Sequence, residues 1–236
     1  MIEAFINKKI LIVVAHPDDE LLGLGGTMHR LINEYNVNIH VVILGEGITS
    51  RSNSRDMKIW NKELKQHKKN IKEAQKCIGY HSLSSYDFPD NRFDTVALLD
   101  IVKVIEKEKD GFQPEIILTH HGGDLNIDHQ RTFEAVITAT RPMENEKVST
   151  IITFETPSGT EWMASSDLRR FSPNLFIEVS EKDLEAKIKG MECYEFEKRK
   201  YPHPRSPLSL KILAQYRGNI VGKYFAEAFQ IIRSIN

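Results

Sequence analysis

Histidine and carboxylate side chains crowd two short stretches of the chain. The first, AHPDDE (15–20), sets His16, Asp18, Asp19 and Glu20 directly after the apolar run LIVV (11–14). Neighbouring acids repel one another, and a plain turn needs only one Asp or Asn with a Gly. A positive partner is therefore expected at this point. The second stretch, THHGGDLNIDHQ (119–130), gathers His120, His121, Asp124, Asp128 and His129 after the run EIIL (115–118). Imidazole nitrogen and carboxylate oxygen suit zinc at about 2.0–2.2 Å. His16 and Asp19 lie three residues apart on a turn entering a helix, so both side chains can converge on one point. Asp18 points elsewhere and stays free as a base, and a further ligand must come from the second stretch. A zinc site of two His and one Asp, with a position open for water, accounts for both stretches.

Other chemistries fit less well. Pro-Asp-Asp-Glu is a good helix start on its own, because proline suits the first turn and acids favour the positive helix end. That explains any single acid but not the cluster. GLGG (23–26) evokes a dinucleotide loop, yet the full G-x-G-x-x-G spacing is missing and acids precede it where a pyrophosphate would sit. DLNID (124–128) matches the opening of a calcium-binding EF-hand loop, but His129 stands where Gly is needed and Ala135 where a bidentate Glu is needed. Neither G-x-S-x-G nor H-E-x-x-H is present.

The elements that must carry these groups follow from the rest of the chain. Its 236 residues suit one α/β domain over 1–236 with a sizeable core. Lys plus Arg number 32 against 33 Asp plus Glu, so the charge balance points to neither nucleic acid nor an anionic membrane. The Lys-rich segment 62–76 reads as a solvated helix face. Cys77 and Cys193 form no metal-type pair and no disulfide framework, which indicates a reducing compartment. The first fifteen residues lack a signal-peptide core, and no run approaches the ~20 apolar residues of a membrane span. A cytoplasmic protein is expected. Strands are expected at 10–16, 38–45, 84–88, 115–121, 150–155 and 175–180. Helical spacing marks 56–78, with Met57, Trp60, Leu64, Ile71, Ala74 and Ile78, and 96–105, with Val96, Leu99, Val102 and Ile105. Two late helical segments carry Leu184, Ile188 and Met191, then Ile212, Leu213, Tyr216, Phe225 and Phe229. The alternation implies right-handed βαβ units around a mostly parallel sheet. The loops after the first and fourth strands would open at its carboxyl edge, where such folds bind ligands.

AHPDDE with a downstream DLNIDH resembles the zinc-dependent de-N-acetylases of the PIG-L/LmbE family. FPDNRFD (88–94), FETPSGTEW (154–162), SPNLFIEV (172–179), YPHPRSP (201–207), YRG (216–218) and AEAF (226–229) extend the likeness over nearly the whole chain. The resemblance implies a Rossmann-like three-layer α/β fold and one zinc per chain, held by His16, Asp19 and His129. It implies Asp18 as general base and Asp128 as the carboxylate that orients the catalytic groups. The substrate implied is an N-acetylated amino sugar, such as an N-acetylglucosamine unit with something attached to its anomeric carbon. Many members carry a His three residues before the metal His; here Asn126 stands there, so one catalytic imidazole is missing.

Candidate substrate contacts are Asp90, Arg51 and Asn126, with Arg55 beside Arg51. His203 in YPHPRSP, held between Pro202 and Pro204, is expected to supply the missing donor. Family members are often oligomers, and the amphipathic helix over 56–78 offers an apolar face for self-association. The alternative reaction on the same scaffold is a metal-assisted hydration of a small unsaturated acid. A metal-stabilised binding protein ranks third.

Overall fold

The structure, a computed structural model, describes residues 2–235. Its strands are β1 (Lys9–Val14), β2 (Asn38–Gly45), β3 (Ser82–Phe88), β4 (Ile116–His120), β5 (Thr150–Phe154), β6 (Leu175–Glu178) and β7 (Ala226–Ser234). Its α-helices are α1 (Asp19–Tyr35), α2 (Asn61–Ile78), α3 (Leu98–Phe112), α4 (Ile127–Ala139), α5 (Glu181–Cys193) and α6 (Pro207–Ile220). The seven strands form one sheet in the order β3-β2-β1-β4-β5-β7-β6. The first five of these run parallel, and β7 is antiparallel to both β5 and β6.

The apolar runs become the sheet centre because helices cover both faces. Successive side chains of a strand point to opposite faces. Ile10, Ile12 and Val14 of β1 accordingly enter a core with Leu21, Leu24, Ile71 and Met191, beneath α1, α2 and α5. Leu11 and Val13 enter the opposite core with Ile101, Ile105 and Val136, beneath α3 and α4. Between β1 and β4 the strand order reverses, and the two His/Asp stretches leave the sheet side by side at that switch point.

Three expectations change, and one helix is added. Residues 226–234 are a strand: Phe225 and Phe229 are four apart, as on a helix, but Ala226, Ala228 and Phe229 are buried in a ribbon paired on both edges. Residues 127–139 are a helix, which the polar surroundings of DLNIDH concealed. Helix α2 begins at Asn61, after turns at 57–60. Its buried residues Leu64, Ile71 and Ala74 pack toward α5 within the chain, so this stripe is not available for self-association. The two cysteines, 116 residues apart, stand with their sulfurs 3.7 Å apart and unbonded at the ends of α2 and α5. No helix among the described residues is long and apolar enough to cross a membrane.

Helix α1 is broken at Leu24, whose φ of −150° is not helical. The break frees backbone groups inside the protein, where each lost hydrogen bond is costly. Glu227 accepts from the N–H groups of Gly26 and Thr27, and Lys187 Nζ donates to the Leu22 carbonyl at 2.9 Å and to Glu227 at 2.6 Å. Both side chains are almost fully buried. Lys187→Met removes one charge and strands the other, so urea unfolding should show a loss of about 3–5 kcal/mol. Lys187→Met with Glu227→Gln should recover part of it. Equal stability of the single variant and wild type would refute this account of the break.

Candidate active site

Five parallel strand ends deliver the site. The turn after β1 carries His16, Asp18 and Asp19; the loop after β3 carries Asp90; the loop after β4 and the start of α4 carry Asp124, Asp128 and His129. The loop after β2 adds Glu46, and the loop after β5 adds Thr156, Ser158 and Thr160. Asp18 is the N-cap of α1 and holds a φ of 99°, a conformation few non-glycine residues adopt. Its carbonyl accepts from Leu21 and Leu22, which fixes the turn and separates its side chain from that of Asp19. Asn126 caps α4, its side chain accepting from the Asp128 N–H, and so sets Asp128 and His129 in the first turn.

His16, Asp19 and His129 are all buried and bring one ligand atom each into a common space. Asp19 Oδ2 lies 3.4 Å from His16 Nδ1 and 3.3 Å from His129 Nε2. Two donors about 2.0–2.1 Å from one tetrahedral ion stand about 3.3–3.4 Å apart. Both ring nitrogens of His129 and Asp19 Oδ1 are buried without an aligned hydrogen bond among the described residues, which is expensive unless something else satisfies them. Both imidazoles are backed by a carboxylate. His16 Nε2 lies 2.8 Å from Asp128 Oδ2, which also accepts from the Asn91 N–H, and His129 Nδ1 lies 3.0 Å from Asp124 Oδ1. This is the outer support that metal-binding histidines use to fix tautomer and orientation. The donor set therefore fits a zinc-type ion.

The electrostatics agree. Burial opposes charge on His16, but Asp128, Asp19 and Asp90 overcome it and push the imidazole well above its ordinary range. Burial likewise opposes charge on His129, and Asp19 and Asp124 still raise it to about 9. The carboxylates create a field that calls for positive charge at this point. His120 differs: burial, then His129, lower it to about 4. Its Nε2 accepts from the Ala15 N–H at 3.0 Å, and its ring stacks on His129 at 3.9 Å. It is a neutral wall and not a ligand.

Asp18 stands beside this pocket. Arg205 Nη1 lies 2.9 Å from Asp18 Oδ2 and 3.4 Å from Glu197 Oε2. Burial pushes the Asp18 carboxyl well up, and Arg205 acts against that. Glu20 accepts from the Tyr194 hydroxyl with Oε1 and from the Asp18 N–H with Oε2, and burial raises it to about 7. Gly159 lets the loop after β5 close on Asp124, since a Cβ there would lie 2.6 Å from Asp124 Oδ1.

The remaining sequence candidates fall out unequally. Asp90 is buried, 3.4 Å from His16 Nε2, and accepts from the Ser50 N–H. Asn126 is occupied by its cap and by Asn91. Arg51 is bound by Glu197 and the Phe196 carbonyl, and Arg55 by both carboxylate oxygens of Glu46. Their charges are met by the protein, which is why they do not offer a free anion site. His203 lies edge-on to Trp162 with ring centres 5.6 Å apart, and its Nδ1 accepts from the Arg205 N–H. The side chain that YPHPRSP sends to Asp18 is thus Arg205. Asp124 and Arg205 are functional candidates beyond the sequence reading. The only signal for Asp124 was its place in the cluster, and for Arg205 its motif.

The model for the family described as PIG-L, GlcNAc-PI de-N-acetylase, matches residues 11–140. The chain is 26% identical over 240 residues to a diacetylchitobiose deacetylase of Thermococcus kodakarensis, covering 97% of this chain and 84% of that protein. It is 27% identical over 147 residues to a probable N-acetyl-alpha-D-glucosaminyl L-malate deacetylase of Bacillus cereus, covering 60% of this chain and 65% of that one. Among solved structures, N,N'-diacetylchitobiose deacetylase from Pyrococcus horikoshii superposes with a TM-score of 0.72 at 18% identity, over 96% of this chain and 84% of the other. A 4-carboxy-2-hydroxymuconate hydratase from Pseudomonas putida superposes with a TM-score of 0.73 at 20% identity, over 97% and 98%. At those identities the superpositions speak to fold alone. The family match spans both His/Asp stretches, and this chain belongs to the PIG-L family of de-N-acetylases.

Proposed function

We propose that this protein is a zinc-dependent hydrolase that removes the acetyl group from an N-acetylated amino sugar, with His16, Asp19 and His129 as the metal ligands. The observation that carries the reading is a buried carboxylate, Asp18, that directly precedes Asp19 in the chain, feels its charge and is no part of the three-donor set. When bound, zinc supplies a water of lowered pKa and polarises the acyl oxygen. Asp18 takes the proton of the attacking water and returns it to the leaving amine. Asp128 and Asp124 hold the two imidazoles in place, and Asp90, buried beside His16, keeps lone pairs for a sugar hydroxyl in addition to the Ser50 N–H and the Asn91 amide. Next to Ser158 and Arg205, Pro157 and Pro204 open onto a groove of about 350 Å³ edged by Tyr201, Ile212 and Tyr216. Such apolar and aromatic surfaces suit the faces of a sugar or of the group attached to it.

A hydratase acting on a small unsaturated acid would want a basic pocket. Here Arg51, Arg55 and Arg205 are each paired with an acid, which favours the neutral amide substrate. Zinc-loaded protein offered free, nucleotide-linked, lipid-linked and malate-linked N-acetylglucosamine, and chitobiose, should release acetate from at least one. Silence across that panel, with zinc bound, would reject the reading.

A further inference from the structure

Arg205 is gripped on one edge and open on the other. Its Nε donates to Ser158 Oγ at 2.7 Å, and its Nη1 reaches Asp18 at 2.9 Å and Glu197 at 3.4 Å. Nη2 has no hydrogen-bond partner among the described residues, and the side chain keeps 20% of its surface open. A guanidinium carries five N–H donors in a rigid fork. Two corners fixed on protein groups therefore aim the third without further freedom. The backbone is equally fixed: Ser206, the next residue, caps α6, and Pro207 follows at its first turn. Ser158, on the far side, belongs to the loop after β5 that also packs on Asp124 through Thr160.

We infer that Arg205 is both the positioning residue for Asp18 and the second donor of the site, with Nη1 holding the base and Nη2 meeting the acyl oxygen of the substrate. This rests on the deacetylase reading. It gives the chain the donor that Asn126 does not supply, from the segment where His203 was expected to provide it. A cation serves here because the group it meets becomes an oxyanion as water adds. Hydrogen bonds to ionised acceptors are about twice as strong as neutral ones, so such a donor acts more on the transition state than on bound substrate.

The test pairs turnover with binding of acetate, the product. On the substrate found by the panel, Arg205→Gln should lower kcat by about 10²-fold or more with KM little changed and zinc content intact. Arg205→Lys keeps charge but not the fork and should fall between. Asp18→Asn combined with Arg205→Gln should cost far less than the two losses multiplied, because the residues act as one unit. Calorimetry of acetate binding to the zinc-loaded protein should show at least about tenfold weaker binding in Arg205→Lys. An unaltered kcat in the Lys and Gln variants, or a loss confined to KM, overturns the donor role. Should the wild type hydrolyse nothing, the deacetylase reading fails by itself, and equal acetate affinity of wild type and Arg205→Lys would still overturn the inference. Should the Gln variant not fold, the Lys variant decides on the same two measurements.

Discussion

Asp18→Asn should give a folded protein that holds zinc and turns over about 10²–10⁴-fold more slowly, the range for losing a general acid–base group. Asn matches Asp in shape and is among the residues that tolerate a positive φ, so the strained turn survives. The three proposed ligands are untouched. The variant also tests the electrostatics. Arg205 loses its 2.9 Å partner but keeps Glu197, so no buried charge is left alone. In exchange, the repulsion of Asp18 with Glu197, Asp19 and Glu20 disappears. These changes oppose each other, and the melting temperature should move by only a few degrees, corresponding to about 1 kcal/mol or less. Acetate release and metal analysis on the same preparation check both halves. Turnover close to wild type would remove Asp18 from the mechanism. A large loss of zinc would instead make it a ligand.

The likeness between this expectation and the sequence reading has a physical origin. His16, Asp18 and Asp19 sit within one turn, and backbone geometry alone dictates that neighbours on a helix start diverge while residues three apart converge. That part of the site is local, as are the apolar runs that become β1, β2 and β4, so a linear reading reaches them. The partners of those residues are not local. Arg205 meets Asp18 across 187 residues of chain, and Asp124 is closed off by Gly159 and Thr160 from another strand end. Two prolines mark His203 as a held side chain in the sequence, but only packing shows that Arg205, two residues on, is the one from YPHPRSP that meets Asp18. Strand β7 escaped for a related reason. Four successive residues, Ala226 to Phe229, are buried because both faces of the strand are covered there, which leaves no alternating pattern in AEAFQIIRS. Arg51 and Arg55 read as free cations because Glu197 and Glu46, which neutralise them, are invisible as partners in the sequence.

His129→Ala should abolish both stoichiometric zinc and acetate release, while the Asp124→Asn variant should keep the site and bind zinc about 10–100-fold more weakly. The distinction follows from geometry. His129 Nε2 is 3.3 Å from Asp19 Oδ2 and has no other partner, whereas Asp124 touches only the far nitrogen of the ring. Removing the imidazole leaves two protein donors, fewer than a catalytic zinc requires. Chelation of the wild type should silence it in the same way without unfolding it. The donors stand at the carboxyl edge of the sheet, and the two apolar cores on either side of β1 do not depend on them. Metal analysis, far-UV circular dichroism and acetate release would follow the three changes together. A second set of donors, His16 with Asp90 and Asp128, also lies within 4.8 Å of one another and offers the natural rival. There, however, the Asp128 oxygen that faces His16, Oδ2, already accepts from His16 Nε2 and from the Asn91 N–H, and Oδ1 accepts from the Phe93 N–H, so binding an ion would have to displace His16 from its carboxylate partner. Asp90→Asn should therefore leave zinc stoichiometry at wild-type level. If His129→Ala kept its zinc and Asp90→Asn lost it, the ion would belong to the rival set, and Asp18 would no longer border the reacting water.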